Sequence, residues 1–256
     1  MKNYTLITGA SGGIGYELAL LFARDNHNLI LIARSKDKLE NLKTSILKET
    51  KIDIIILAED LSIPGVPEKI FKEIQAKTIV VDMLINNAGF GDYGYFKDCD
   101  INKQEKMINL NILALTKLTK LFLPALLERK TGKILNIAST AAFQPGPLMS
   151  VYFASKAYVL SFSSALAFEL RDSGITVTTL CPGPTQTGFS SAAAVTSSKM
   201  FNPSIPSAKE VALFGYKKMM KGKTLAIHGF KNRFQVFLLR FTPRNLIAAM
   251  VYYISK

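Results

Sequence analysis

Short apolar runs alternate with longer amphipathic segments along most of the chain. The runs lie at residues 4–8, 28–33, 52–58, 78–86, 132–139, 175–181 and 223–228. They lack polar alternation, which is typical of strands that are covered on both faces. Between them, apolar residues recur at helical spacing over residues 13–25, 36–49, 67–77, 103–129 and 150–171. This pattern predicts an α/β fold in a single domain, with helices on both faces of a doubly wound, seven-stranded parallel sheet.

Two further amphipathic segments follow the last predicted strand. They cover residues 230–241 and 243–254, and Pro243 is placed to open the second. One apolar face comprises Phe234, Phe237, Leu238 and Phe241, and the other comprises Leu246, Ile247, Met250, Val251 and Ile254. We therefore divide the chain into a main domain at 1–229 and a C-terminal helical extension of that domain at 230–256.

Positive charge is concentrated in the last quarter of the chain. The formal net charge is +13, and residues 199–256 hold eleven Lys or Arg but only one acidic residue, Glu210. The basic helices can be solvated helices that pack on the body or on a second subunit. They can also lie on an anionic membrane surface. Charge alone does not indicate nucleic-acid binding, which we do not expect.

The remaining composition is that of a soluble globular protein. Hydrophobic residues make up 48% of the chain, yet no window approaches the roughly 18 uninterrupted apolar residues of a membrane span. The first residues run into a glycine turn, so we expect no signal peptide. Cys99 and Cys181 lie far apart and outside any histidine cluster, and Cys181 is expected in the core. We therefore expect no disulfide framework, no metal site and a cytoplasmic location.

The glycine-rich stretch TGASGGIG, at residues 8–15, follows the first strand and opens the first helix. Glycines let the backbone turn sharply and approach a pyrophosphate, and the helix N-terminus offers free N–H groups and a favourable dipole. Many tight strand–helix turns contain glycine for other reasons. Its position in a doubly wound pattern nevertheless favours a dinucleotide cofactor.

The end of the second strand favours NADP(H) over NAD(H). NAD sites usually carry an acidic residue here that binds the adenosine ribose, whereas this chain has Arg34. A guanidinium can stack on adenine and bind a 2′-phosphate through several donors, and Ser11 can add a hydroxyl. Asp37 fits the ribose position less well. The alternative is that Arg34 is a solvated cation at the start of a helix.

Tyr152 and Lys156 lie four residues apart on a predicted helix and so share one face. Such a pair is common on amphipathic helices. Here, however, Ser139 ends a strand at the edge where parallel sheets bind ligands, and the helix of Tyr152 begins soon afterwards. Because an ammonium favours a nearby phenolate, we expect Lys156 to lower the pKa of Tyr152 towards the range useful for general acid–base catalysis.

Together these motifs resemble the short-chain dehydrogenase/reductase family over residues 2–228, and the resemblance implies a Rossmann fold. The motifs are TGASGGIG (8–15), Asp60-Leu61, NNAG (86–89), Asn111 in NLNILAL, Ser139 in NIAST, YFASK (152–156) and PGPTQT (182–187). The implied catalytic residues are Asn111, Ser139, Tyr152 and Lys156. The implied cofactor contacts are Gly9, Ser11, Gly12, Gly13, Ile14, Gly15, Arg34, Asp60, Leu61, Asn87, Ala88, Gly89, Tyr152, Lys156, Pro182, Gly183, Thr185 and Thr187.

The resemblance also implies a role for each catalytic residue. Tyr152 donates a proton to the carbonyl oxygen during reduction, and the reverse oxidation uses the same groups. Lys156 binds the nicotinamide ribose, and Ser139 stabilises charge on the substrate oxygen. Asn111 positions a water that links Lys156 to solvent.

Two segments, at 90–96 and 142–149, should line the substrate side. The candidate pocket residues are Phe90, Tyr93, Phe143, Gln144 and Met149. This largely apolar set favours a ketone, an aldehyde or a 3-oxoacyl compound over a sugar. The Ser-, Ala- and Thr-rich segment 187–201 resembles a lid that would order over substrate and cofactor.

The sequence therefore predicts an NADPH-dependent carbonyl reductase that acts on a small molecule. We expect a homodimer or homotetramer formed through the two long central helices. The alternative is a non-catalytic NADP(H)-binding sensor or scaffold whose basic tail binds a partner or a membrane surface. The four catalytic residues favour the enzyme, because a binding module would not need Tyr152.

Overall fold

Seven parallel strands form one sheet in the computed structural model, which describes residues 3–188 and 205–256. The strands are β1 (Asn3–Thr8), β2 (Asn28–Ala33), β3 (Ile54–Ala58), β4 (Val80–Asn86), β5 (Gly132–Ile137), β6 (Ile175–Cys181) and β7 (Leu225–Ile227). Their order in the sheet is β3-β2-β1-β4-β5-β6-β7, and each neighbouring pair is parallel. The predicted fold class is confirmed.

Helices cover both faces of this sheet. They are α1 (Gly13–Arg24), α2 (Lys36–Leu47), α3 (Val66–Ala76), α4 (Ile101–Ile108), α5 (Leu115–Arg129), α6 (Ser150–Glu169), α7 (Ala208–Met220), α8 (Phe230–Leu239) and α9 (Arg244–Ser255). A π-helical turn, Asn109–Ala114, joins α4 to α5, so the predicted long helix is continuous but locally widened. Short 3₁₀ turns lie at Phe96–Asp98 and Thr140–Phe143.

Each face of the sheet has its own hydrophobic core, because successive strand residues point to opposite faces. Ile7 of β1 packs in the core that α1, α2 and α7 cover. Its neighbour Leu6 packs in the core that α3, α5 and α6 cover. Both side chains are fully buried. This double burial explains why the strands are mostly apolar and do not alternate between apolar and polar residues.

The winding of the chain reverses at β1, which lies between β2 and β4. In open parallel sheets, a crevice forms beyond the carboxyl ends of the strands at such a point. The segments that follow β1, β2, β4, β5 and β6 therefore meet along one edge. These segments contain the sequence motifs described above.

The two C-terminal helices contact the main domain in different ways. On α9, Ile247 and Val251 are buried in a cluster that includes Phe153 of α6. On α8, the buried apolar residue is Val236. The predicted apolar face of α8, which begins at Phe234, is exposed and does not pack on the described part of the main domain. Packing of this face on a second subunit or on a membrane surface stays a prediction.

Two helical stretches, Ile101–Arg129 and Ser150–Glu169, are long and apolar enough to cross a membrane by length and composition alone. Both bury side chains in the core of the sheet, as Phe122 and Leu166 illustrate. The fold therefore accounts for their apolar character. The predicted lid at 187–201 falls, from residue 189 onwards, outside the described residues.

Candidate active site

A cleft of about 530 Å³ runs along the carboxyl edge of the sheet. All the predicted cofactor contacts line it except Gly15. Of the predicted catalytic residues, Ser139, Tyr152 and Lys156 line it, whereas Asn111 lies behind its wall. The motifs that are dispersed through the sequence thus converge on one site.

The glycine turn forms the wall of the cleft next to β1. Gly9 has a φ of +68°, which favours glycine. A Cβ on Gly15 would lie 2.4 Å from the carbonyl oxygen of Gly9, so only glycine permits this close contact between helix and turn. Helix α1 begins at Gly13 without a side-chain cap, and Gly12, Gly13 and Ile14 line the cleft. Its first N–H groups are therefore placed for an anionic group such as a pyrophosphate.

Asn87 and Thr8 fasten this turn to the end of β4. The Asn87 side-chain amide donates to the backbone oxygens of Thr8 (2.9 Å) and Gly9 (3.2 Å). The Thr8 hydroxyl accepts from the backbone N–H groups of Asn87 and Ala88, both at 2.9 Å. The NNAG motif therefore fixes the shape of the glycine turn and also lines the cleft.

Two cations and a hydroxyl lie at the end of the cleft beside β2. Arg34, as predicted, lines the cleft together with Ser35 and Lys38, which the sequence analysis did not name. The one feature of the sequence that could have identified Lys38 as a cofactor contact is its position four residues after Arg34, about one helical turn. Glu59 also lines this end, but its carboxylate binds Lys69 at 2.6 Å. This arrangement fits a 2′-phosphate, for which Arg and Lys supply charge and donors.

The reactive end of the cleft is formed by Ser139, Tyr152 and Lys156. Ser139 follows β5 and caps the short 3₁₀ turn, where its oxygen accepts from the Ala141 N–H at 3.1 Å. Helix α6 carries both Tyr152 and Lys156. The Tyr152 side chain hydrogen-bonds that of Ser139. The Lys156 Nζ donates to the Ile137 carbonyl at 2.9 Å and lies 5.8 Å from the centroid of the Tyr152 ring.

Burial dominates the titration of these groups. It raises the pKa of Tyr152 to about 12, which the hydrogen bond from Ser139 only partly opposes. It lowers the pKa of Lys156 to about 8. Burial therefore outweighs any lowering by Lys156, and the net fall that we predicted for the pKa of Tyr152 is absent from the protein without its cofactor. The reason is that both side chains lie in a low-dielectric region that disfavours either charge.

Asn111 lies in the π-helical turn and is almost fully buried. Its side chain accepts from the N–H of Phe90 at 3.1 Å and donates to the Phe90 carbonyl at 3.0 Å. It also donates to the Ser155 hydroxyl at 3.0 Å. The Asn111 oxygen and the Lys156 Nζ lie 3.0 and 3.4 Å from the point that a Cβ on Gly89 would occupy. The π turn thus brings Asn111 to the segment after β4, in keeping with the frequent use of π turns at functional sites.

The segment after β6 contains PGPTQT and lines the side of the cleft where we predict the nicotinamide. Pro182, Gly183, Thr185 and Thr187 all line the cleft. Thr185 donates to the Gly183 carbonyl at 2.9 Å, which shapes the turn. A Cβ on Gly183 would lie 2.6 Å from the Asn232 side-chain nitrogen, so α8 packs tightly behind this segment.

The predicted substrate residues fall into two groups. Phe90, Gln144 and Met149 line the cleft. Tyr93 packs beside Met149 but directs its hydroxyl to the Ser255 carbonyl, at 2.7 Å. Phe143 packs in a separate cluster with Cys181, because the 3₁₀ turn directs it away from the cleft. The prediction that Phe143 lines the substrate pocket is not met.

Helix α9 packs behind the end of the cleft that Tyr152 lines, which the sequence did not predict. Ile247 and Val251 pack in one cluster with Met149, Phe153 and Tyr152. Their periodicity showed an apolar face, but nothing in the sequence indicated which part of the fold that face contacts. The C-terminal helix α9 therefore supports the cluster in which Tyr152 packs.

In the part of the chain that the structure describes, no three His, Cys, Asp or Glu side chains are grouped to hold a metal ion.

Comparison with known proteins agrees with this geometry. The family model described as short chain dehydrogenase matches residues 3–197. The chain belongs to this family. The very-long-chain 3-oxoacyl-CoA reductases of Anas platyrhynchos and Homo sapiens are 37% identical over 185 residues and 36% over 186. These matches cover 70% and 71% of the chain but only 58% and 59% of the relatives, so the chain spans little more than half of their length.

Solved structures of similar proteins cover nearly the whole chain. The enzyme from Sphingobium yanoikuyae, solved in complex with NADPH, is 31% identical with a TM-score of 0.83 and covers 94% of both chains. The bulky-bulky ketone specific alcohol dehydrogenase from Comamonas testosteroni is 28% identical with a TM-score of 0.79, over 94% of this chain and 92% of that one. A 7beta-hydroxysteroid dehydrogenase, at 21% identity and a TM-score of 0.87, shares the fold.

Proposed function

We propose that this short-chain dehydrogenase uses NADPH to reduce the carbonyl group of an apolar substrate to an alcohol. The observation that carries the proposal is the convergence of Ser139, Tyr152 and Lys156 in a cleft that begins at the glycine turn. A site for binding alone would not require a phenol, a hydroxyl and an ammonium at one end. Together these three groups can bind a carbonyl oxygen and protonate it.

The adenine end of the cleft supports NADPH over NADH. Arg34, Ser35 and Lys38 would hold the 2′-phosphate, and the start of α1 would hold the pyrophosphate. When bound, this cofactor supplies the hydride for the reduction. The relative from Sphingobium yanoikuyae, which was solved with NADPH, supports the assignment.

Tyr152 is suited to be the acid in the direction of reduction. With a pKa of about 12, the phenol carries its proton throughout the neutral range. The Ser139 hydroxyl beside it would hold the substrate oxygen at the same place. Lys156 has a pKa of about 8, so it is mostly charged at neutral pH and would stabilise the phenolate once the proton has moved.

The proton on Tyr152 would be replaced through Lys156 and Asn111. Both side chains reach the position beside Gly89, where a water between them would connect the buried ammonium to solvent. The Asn111 oxygen, which accepts from Phe90, has a second lone pair for such a water.

The substrate side supports a bulky apolar carbonyl compound. Met149, Phe153, Ile247 and Val251 form a hydrophobic cluster beside Tyr152, and Gln144 adds one amide to the wall of the cleft. The names of the relatives, a 3-oxoacyl-CoA reductase and an alcohol dehydrogenase for bulky ketones, point the same way. We therefore propose bulky ketones and 3-oxoacyl thioesters as the first substrates to test.

We also propose that the protein forms a homodimer or homotetramer in the cytoplasm. Large apolar side chains remain exposed on the π turn, α5 and α6, including Leu113, Leu127, Tyr158 and Phe168. A self-contact along these helices would cover them.

The direct test is to follow NADPH absorbance at neutral pH with ketones, aldehydes and 3-oxoacyl thioesters, with NADH in parallel. Turnover with NADPH and little with NADH is the expected result. An absence of turnover across the panel while NADPH still binds tightly would contradict the proposal and favour a non-catalytic NADP(H) sensor. Equal turnover with NADH would contradict the role given to Arg34 and Lys38.

A further inference from the structure

Helix α8 presents a face of large apolar side chains to solvent. Phe230, Phe234, Phe237 and Leu238 lie on one side of the helix. Phe241, just after the helix, extends this face by packing its ring against that of Phe237. The exposed fractions of these side chains run from 46% to 81%. A soluble domain rarely leaves such a contiguous apolar face uncovered unless it binds something.

Helix α9 also exposes large side chains on the face that does not contact the main domain. Ile247 and Val251 are buried against the main domain, whereas Leu246, Met250 and Tyr253 are at least half exposed. Contacts with the segment after β4 hold the helix in place: Tyr95 and Tyr252 share a hydrogen bond of 2.7 Å. The exposed side chains of α9 therefore belong to an ordered helix whose inner face is already engaged.

Positive charge borders the apolar face of α8. At about 100° per helical residue, Lys231 falls on one side of that face, and Arg233 and Arg240 fall on the other. All three side chains are exposed, and they form no ion pair within the described part of the chain. Residues 230–256 contain five Lys or Arg and no acidic residue.

We propose that α8 and α9 form a docking surface for an anionic lipid membrane, on which the protein binds peripherally. An amphipathic helix with aromatic residues on one face and cations at its borders can insert the rings at the headgroup level and pair the cations with anionic lipids. A second copy of the chain is a poorer occupant, because it would bring another basic tail without carboxylates to this surface. Docking requires no catalysis, so the proposal does not depend on the proposed reaction.

The first experiment is vesicle flotation of the full chain. Phosphatidylcholine vesicles are compared with vesicles that also contain phosphatidylserine, at low and at high salt. We expect the protein to float with the phosphatidylserine vesicles at low salt, and salt to weaken that binding, since it screens exposed charges. Failure to float with phosphatidylserine vesicles at low salt would overturn the proposal.

Two variants locate the binding surface. Phe234→Ser/Phe241→Ser removes exposed rings of α8, and its matched control, Leu47→Ser/Ile63→Ser, removes exposed apolar side chains elsewhere. We expect the first variant to lower the vesicle partition coefficient by more than about tenfold and the control to leave it near that of the unchanged protein. Equal losses in both variants would overturn the assignment to this surface.

A charge variant tests the same surface without changing its packing. Lys231→Glu/Arg233→Glu/Arg240→Glu should abolish the preference for phosphatidylserine. The matched control Lys48→Glu/Lys51→Glu/Lys72→Glu changes net charge equally at exposed positions, so a simple net-charge effect would appear in both and would overturn the proposal.

Sedimentation of the Phe234→Ser/Phe241→Ser variant completes the test. An unchanged oligomeric state is expected, and a shift to smaller species would show that this face binds a second copy instead.

Discussion

Tyr152 and Lys156 depart from their ordinary pKa values in opposite directions for one physical reason. Each loses solvation of its charged form in the cleft, so the pKa of the phenol rises to about 12 and that of the ammonium falls to about 8. A protonated phenol beside a mostly charged ammonium suits a proton donor at neutral pH. These protonation states fit the role proposed for Tyr152 as the acid in a reduction.

Replacement of Tyr152 by phenylalanine tests this assignment of the acid. Tyr152→Phe keeps the ring that packs against Phe153 but removes the proton donor. Turnover should fall by about 100-fold or more, while NADPH binding, measured by fluorescence titration, should persist. Turnover within a few-fold of the unchanged enzyme would show that another group protonates the substrate.

Lys156 predicts how the reduction depends on pH. Its ammonium loses its proton as the pH rises through about 8, whereas Tyr152 stays protonated until far higher pH. Because the reduction uses both protonated groups, kcat/KM should be constant on the acid side of pH 8 and decline above it. A profile that stays flat up to the ordinary pKa of lysine would contradict the role given to Lys156.

The position of Arg34 in the cleft predicts how the protein discriminates between NADPH and NADH. Arg34→Ala removes donors to a 2′-phosphate, which are worth about 1.5–3 kcal/mol, so KM for NADPH should rise by about ten- to a hundredfold. KM for NADH should hardly change. Lys36→Ala is the matched control, because Lys36 is an exposed cation in the same turn but does not line the cleft. If both variants raised KM for NADPH equally, the effect would come from the loss of any nearby positive charge and not from a direct contact between Arg34 and the 2′-phosphate.

Individual site residues could be predicted from sequence where a motif fixes the backbone. Gly9 and Asn87 are examples, since turn shape and strand end determine their positions. The pKa of Tyr152 could not be predicted, because it depends on how deeply the assembled cleft buries the phenol. Phe143 was misplaced for a similar reason: the orientation of a four-residue 3₁₀ turn follows from tertiary packing and leaves no periodic signal.

At the scale of elements, α9 shows how much a helix pattern leaves open. Its apolar spacing predicted an amphipathic helix, and that helix is present. The spacing grouped Leu246 with Ile247, although only Ile247 is buried. The apolar face of α9 is wider than the surface of the main domain that it contacts. One part of the face is therefore buried and the other part is exposed. That division depends on where the helix lies, which the sequence does not state.

This division predicts different stability costs for two adjacent residues. Ile247→Ala should lower the free energy of unfolding by about 2–5 kcal/mol, because it leaves a cavity against the main domain. Leu246→Ala, at an exposed position, should change it by no more than about 0.5 kcal/mol. Urea unfolding measures both. Similar small values for both variants would mean that α9 does not pack beside Phe153 as described.

At the scale of the whole molecule, the parallel sheet was predictable because its two cores impose the same constraint on each strand. Residues 4–8 of β1 and 29–33 of β2 are all buried from one face of the sheet or the other, so these stretches are mostly apolar. Contact with a second copy of the chain imposes no comparable periodic pattern on the sequence. In the sequence, the apolar residues of α5 and α6 that face solvent cannot be distinguished from those that face the core. Only the structure shows which of them are exposed and could form a self-contact.

Those exposed side chains yield a prediction about assembly. If the π turn, α5 and α6 form the self-contact, the protein should sediment at a multiple of its 28.2 kDa mass. Leu113→Glu places a carboxylate in that contact, where burying an unpaired charge is costly, and should shift the protein towards the monomer. Leu213→Glu, on the exposed side of α7, is the matched control and should leave assembly unchanged. If the protein without substitutions is a monomer at micromolar concentration, the exposed apolar side chains of α5 and α6 have another partner. If both variants lose assembly, the added charge alone causes the dissociation.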